Sequence, residues 1–320
     1  MENPKKQQME RERDGRAPET GRDGKARGPE KDRALKIEQE ERRILRYFPR
    51  RTNATPNDEL VIEGEPNITL LLEAEEKQPN QIDVSVTFTW DIRKAEIAAE
   101  MLRQIGVPVK IGGPAYGDRM GDFEPGKYIK KGYVFTSRGC PNNCWFCFVA
   151  KAAKGKIKEL PITEGFNILD DNILATSEEH FRGVCEMLRK QKERPIFTGG
   201  IEARILKPWQ AELLKSIKTK RLYCAYDTKD DLEPLMRAGK IFREAGFTEK
   251  SHALCCYVLI GYRGDDFEKA EKRLKETITA GFVPYAMLYR DEKGETKKEW
   301  RKFQREWLRP EIVTKKINEM

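Results

Sequence analysis

Three cysteines stand close together in the run RGCPNNCWFC: Cys140, Cys144 and Cys147, a C-x3-C-x2-C pattern. Cysteines at this spacing suit a metal site better than a disulfide framework. Structural zinc sites use four ligands, usually as two close pairs. Here there are three, and no His or further Cys lies nearby to complete a tetrahedron. Three thiolates on a cubane 4Fe–4S cluster leave one iron open to a non-protein ligand, which suits chemistry better than structure. The other four cysteines form no such loop. Cys185 falls on the apolar face of an expected helix, and Cys224, Cys255 and Cys256 fall in strand-like runs. They read as small buried hydrophobes. Cys255 and Cys256 are adjacent in one strand and therefore point to opposite sides, so one of them can face a site.

The cysteine loop must be held by the elements around it. Apolar, β-rich segments recur along the chain: 132–139, 166–172, 194–200, 221–228, 252–262 and 282–291. Their starts lie about 27 to 34 residues apart, the size of a β-α unit. Most intervening segments have helical patterns. Thr176 to Glu179 reads as a capping box ahead of Phe181, Val184, Cys185 and Leu188. Trp209, Leu213, Leu214 and Ile217 form the next stripe, and Leu232, Leu235, Ile241 and Phe242 another, closed by Gly246. Asp265 or Asp266 caps the helix bearing Phe267, Ala270, Leu274 and Ile278, closed by Gly281. The first crossover, with Gly155 and Pro161, has no clean helix. The pattern predicts an α/β fold, a partial (β/α)6 TIM-like barrel over 128–292. The cysteine loop directly follows its first strand, at the end where chemistry belongs in such folds.

Three segments flank this body. Residues 1–50 read as a disordered arm of mixed basic and acidic residues followed by a short helix over 34–48. Residues 51–127 read as a small β-α-β unit: Asp83 to Trp90 alternates like a strand, Ala95, Ala98, Ala99, Leu102 and Ile105 share a helical face ending at Gly106, and Val107 to Gly113 is a second strand. Residues 293–320 read as a closing helix with Trp300, Phe303, Trp307 and Leu308 on one face. His180, beside Glu178 and Glu179, reads as a surface residue.

From about residue 130 to 292 the chain resembles the radical S-adenosylmethionine (SAM) superfamily, in motif, loop position and strand number. The resemblance implies a 4Fe–4S cluster on Cys140, Cys144 and Cys147 whose open iron takes the amino and carboxylate groups of SAM. One electron then cleaves the sulfonium, giving methionine and a 5′-deoxyadenosyl radical that abstracts hydrogen from a substrate. It also implies an electron donor of the flavodoxin or ferredoxin kind. Phe146 matches the aromatic residue that precedes the third cysteine and lies near the adenine. The methionine-contacting segment at the second strand end matches Asp170 or Asp171, although a TGGIE run with Gly199 and Gly200 stands one strand later. Asp227 is placed to take ribose hydroxyls, Gly261 and Gly264 loosely match a ribose-contacting motif, and Leu288 and Tyr289 are placed to flank adenine. The N-terminal unit, with its FTW and KIGGPAYG runs, looks like a cut-down cobalamin-binding domain of one branch. It has no His to ligate cobalamin, and it reads as structural.

Composition narrows the remaining choices. The 320 residues include 61 Lys and Arg against 53 Asp and Glu, a net charge of +8, with 36% charged residues and 38% apolar. That apolar content excludes a wholly disordered chain, and seven cysteines are too few and too odd in number for a disulfide scaffold. The run from Ala253 to Gly261 is far short of a membrane span, and the N-terminus has no apolar signal region. A cytoplasmic location without membrane attachment is expected. Lys151, Lys154, Lys156 and Lys158 follow the cysteines and favour an anionic substrate, nucleic acid among the candidates. Three functions are therefore weighed: a radical SAM enzyme acting on a small molecule or peptide, one that modifies RNA, and a non-enzymatic metal- and nucleic-acid-binding module.

Overall fold

The computed structural model describes residues 43–117, 123–291 and 293–307. The described residues form one compact unit containing two parallel sheets. The arm and the first part of the expected 34–48 helix lie outside the described residues, as does the end of the closing helix.

The first sheet has four parallel strands in the order β2-β1-β3-β4, with β1 Ile44–Phe48, β2 Val61–Glu63, β3 Gln81–Ser85 and β4 Val109–Gly112. Helices α1 (Ile68–Glu76) and α2 (Ile92–Leu102) connect β2 to β3 and β3 to β4. The expected helix over 34–48 is thus corrected at its described end, where Ile44–Phe48 is a strand. Leu45, Arg46, Tyr47 and Phe48 are all buried, because a central parallel strand is covered on both faces and shows no alternation. The buried Arg46 guanidinium pairs with Asp58 and donates to the carbonyl of Lys127 (2.7 Å). The helix expected before Gly106 is present, with Ala95, Ala98, Ala99 and Leu102 buried. The strand expected from Asp83 to Trp90 stops at Ser85, and Thr89–Asp91 is already a 3-10 turn leading into α2.

The second sheet has six parallel strands in sequence order: β5 Tyr133–Val134, β8 Asn167–Ile168, β9 Ile196–Phe197, β10 Arg221–Tyr226, β11 Leu254–Ile260 and β12 Val283–Leu288. Each expected strand segment contributes one of them. The exception is the far end of 132–139: the chain leaves the sheet after Val134, and β6 (Ser137–Gly139) pairs antiparallel with β7 (Ile157–Glu159). The first crossover carries a short helix, α3 (Phe148–Ala153), where none was expected.

Helices α4 (Glu178–Arg189), α5 (Pro208–Ser216), α6 (Leu232–Glu244), α7 (Phe267–Thr279) and α8 (Lys298–Trp307) share one apolar core with the sheet. Their starts are chemically marked. Ser177, rather than Thr176, caps α4 by accepting from the His180 N–H (3.2 Å), and Asp266 caps α7 by accepting from the Lys269 N–H (2.8 Å). The core takes Leu222, Cys224, Tyr226, Cys256, Val258 and Ile260 from β10 and β11. Alternate residues Tyr223, Cys255, Tyr257 and Tyr285 lie outside it, and their rings pack together, Tyr223 on Tyr257 at 4.5 Å and Tyr285 on Tyr223 at 5.3 Å. Ala225 and Met287, further along that face, are exposed. A solvent-reached residue near the carboxyl end of a central strand means that this face is open toward the C-terminal strand ends. No described helix is long and apolar enough to cross a membrane.

Candidate functional site

Cys140, Cys144 and Cys147 lie on one loop between β6 and α3, and all three thiols are free and partly exposed. The loop is anchored on its entry side. Gly139, at φ +94°, is packed so closely that a Cβ would clash with the Lys156 carbonyl oxygen, so only glycine fits there. Its N–H donates to Asp171 Oδ2 (2.8 Å). Asn172 Nδ2 donates to the Cys140 sulfur (3.4 Å), and the Cys147 N–H donates to the Cys144 carbonyl (3.0 Å).

The thiols sense one another and the strand ends around them. Burial pushes the Cys144 thiol up to about 11, with Cys147 and Cys140 adding to the shift and the Arg204 cation opposing it. Burial also raises Cys140, against the pull of its hydrogen bonds from Asn172 and the Asn142 backbone. Among the described residues, no group of three His, Cys, Asp or Glu side chains is gathered closely enough to hold one metal ion.

Charges from two neighbouring strand ends border the loop. After β9, Glu202 accepts from Asn142 of the loop, and Arg204 pairs with Asp231, beyond β10. Sequence reasoning did not single out Glu202 or Arg204. The TGGIE run was its only signal. Asp227 directly follows β10, and its Oδ1 accepts from the Leu259 N–H (3.2 Å). Burial, then the Asp231 charge, pushes its carboxyl up to about 7. The folded chain thus holds this proton more tightly than the unfolded one. The group favours folding below the ordinary carboxylate range, and that contribution is lost as pH rises from about 4 through about 7. The loss is at most about 4 kcal/mol. Asp227→Asn is expected to flatten this part of the stability profile, which denaturant melts across that range will reveal. A wild-type slope in the variant would assign the pH dependence to other groups.

The expected cofactor residues divide sharply in their placement. Asp170 is turned inward, 1% exposed, with three short hydrogen bonds: from the Thr136 N–H (2.6 Å), Thr136 Oγ1 (2.6 Å) and Ser137 Oγ (2.7 Å). Burial raises its acid and these donors pull it back. Asp171 is spent partly on Gly139. Gly199 is pressed on the backbone of Leu169 and Asp170, where a Cβ would clash, while Gly200 turns at φ +117°. Gly261 adopts φ +77°, and a Cβ there would crowd Trp300 at 3.0 Å and Leu288 at 3.2 Å. Leu288 packs on the helix-side core. Phe146 and Tyr289 do come together, through Trp145. The Trp145 ring, 56% exposed, lies 5.3 Å from Phe146, 5.8 Å from Tyr262 and 5.9 Å from Tyr289. This aromatic group joins the cysteine loop to the ends of β11 and β12. Trp145 and Tyr262 carried no periodic signal, because only the tertiary fold brings them together.

Two further expectations are settled. His180 is buried, not on the surface; its Nδ1 faces Glu159 Oε2 at 3.7 Å, because β7 folds back over the start of α4. Cys185, Cys224, Cys255 and Cys256 are all buried. Lys151, Lys154 and Lys156 are exposed beside the loop.

No protein-family profile and no curated protein matches this chain.

Proposed function

We propose that this chain is a radical SAM enzyme, with Cys140, Cys144 and Cys147 holding a 4Fe–4S cluster. The observation that carries the reading is the position of the C-x3-C-x2-C loop, just beyond the first strand of a six-stranded parallel sheet whose opposite face is sealed by helices. On this reading the sheet is an open, partial barrel of six β/α units. The thiols suit the group, because each ligates a different iron of a cubane and they need not converge on a point.

When bound, the cluster supplies the electron that splits SAM into methionine and a 5′-deoxyadenosyl radical able to take hydrogen from a substrate. The chain's own residues do the holding. Gly139 and Asp171 fix the loop's entry, and the Asn172 amide orients Cys140. Trp145, Phe146 and Tyr289 offer ring faces to the adenine. Asp227 and Glu202 offer carboxylate oxygens to hydroxyl and ammonium groups. An electron donor of the flavodoxin or ferredoxin kind is required, and a cytoplasmic setting suits free thiols.

The exposed lysines beside the loop favour RNA as a substrate in a second reading. One experiment addresses both: anaerobic reconstitution with iron and sulfide, then SAM and reductant, with 5′-deoxyadenosine measured with and without total cellular RNA. Formation of 5′-deoxyadenosine is expected, and stimulation by RNA would select the second reading. A metal-loaded protein that never cleaves SAM would leave only a non-enzymatic binding module.

A further inference from the structure

The N-terminal four-stranded sheet reads from sequence as structural, yet it carries a cavity. The order β2-β1-β3-β4 makes β1 and β3 neighbours whose connections run to opposite sides, β1 to β2 and β3 to β4. In open parallel sheets such a reversal leaves a crevice beyond the carboxyl ends of the two strands, where ligands bind. A cavity of about 490 Å³ lies there, within the size range of small-molecule sites. Its walls come from the ends of β1, β3 and β4, and from Phe135, Arg138, Leu169 and Asp171 beyond β5 and β8 of the second sheet.

The lining points to one kind of ligand. Phe48, Phe123, Phe135 and Tyr128 make its walls aromatic. The carboxylates are already engaged: Asp83 accepts from Tyr128 Oη (2.7 Å) and Gln81 Nε2 (2.6 Å), Glu124 pairs with Lys127 (2.7 Å), and Asp171 accepts from Gly139. Three of the donors are not engaged in the same way. The Ser85 and Thr87 hydroxyls and the Lys110 ammonium have no hydrogen-bond or ion-pair partner among the described residues. The Arg138 guanidinium stacks 3.3 Å above the Phe135 ring. The Ser85, Thr87 and Lys110 donors, set among aromatic walls, suit a planar ring that bears an oxyanion.

We propose that this cavity binds a small planar molecule carrying an anionic group, such as a nucleoside monophosphate or an aromatic carboxylate. We further assign it as the substrate pocket of the cysteine site, a step that rests on the radical SAM reading. The link is covalent and short: Arg138 lines the cavity and Cys140 is two residues on, while Asp171 both lines the cavity and holds Gly139 between them.

The test uses the full-length chain. Calorimetric titration is run with AMP, GMP, CMP and UMP against their nucleosides, and with 4-hydroxybenzoate against phenol. At least one anion is expected to bind about tenfold or more tighter than its uncharged parent. Lys110→Met and Thr87→Val, both changes at solvent-reached positions, should each erase most of that difference. The phosphate and carboxylate arms identify which anion is preferred. Failure of every anion to bind, equal binding of the parents, or unchanged affinity in both variants would overturn the pocket. Cys144→Ala should bind the same ligand as the wild type does, which separates the pocket from the cluster. The bound anion should also raise 5′-deoxyadenosine formation in the wild type and not in Lys110→Met. SAM cleavage that ignores a ligand known to bind would overturn the substrate role alone.

Discussion

Replacement of Cys144 by alanine is expected to leave a folded protein that, after anaerobic reconstitution, has no brown iron–sulfur chromophore and forms no 5′-deoxyadenosine. Cys144 is partly exposed on a loop, so the fold loses little. On the proposed assignment the cluster would lose one of its three protein ligands, and the remaining two would leave a second iron without a thiolate. Cys140→Ala and Cys147→Ala should behave alike. Cys185→Ala is the control, because Cys185 sits fully buried in the helix-side core, apart from the loop. Its reconstituted chromophore and turnover should match the wild type. Retained colour and turnover in Cys144→Ala would remove the three-thiolate assignment.

The second large effect is expected at Asp170. Its carboxylate accepts the Thr136 N–H and both the Thr136 and Ser137 hydroxyls, all in buried surroundings. Asp170→Ala strands three buried donors and is expected to destabilise the fold by about 3–5 kcal/mol. Asp170→Asn retains the shape and one acceptor oxygen, and its cost should be smaller. The damage falls on Thr136 and Ser137, immediately upstream of Gly139 and Cys140, so iron content should fall with stability. Denaturant midpoints and iron assays check both. A side chain serving only to contact a cofactor would alter SAM cleavage and leave the midpoint in place.

This contrast bears on what the sequence can disclose. The cysteine loop is legible because its three cysteines are local, spaced within eight residues of one another. The six β-α repeats are legible because hydrophobic periodicity and helix caps are also local: Asp266 caps its helix, the cap signalled at Thr176 falls one residue on at Ser177, and glycines follow α6 and α7 at positive φ. The alternation of Cys255 and Cys256 across β11 is likewise read from a period of two, and Cys256 joins the helix-side core while Cys255 does not. Strand β1 was hidden because charged neighbours surround it and burial on both faces removes its alternation. Asp170 could be located at a strand end but not oriented, since its partners lie more than thirty residues away. The grouping of Trp145, Tyr262 and Tyr289, the burial of His180 and the cavity between the two sheets depend on tertiary packing alone.

The pH dependence of Asp227 and the ligand specificity of the N-terminal cavity can each fail without affecting the cysteine site. The cysteine site itself stands or falls on electron paramagnetic resonance of the reconstituted, dithionite-reduced protein, recorded with and without SAM. A reduced 4Fe–4S signal whose g values shift when SAM is added is expected, because on the proposed assignment the iron without a thiolate would be open to SAM. A protein that assembles no such signal, or a cluster signal that SAM leaves unchanged, would contradict it.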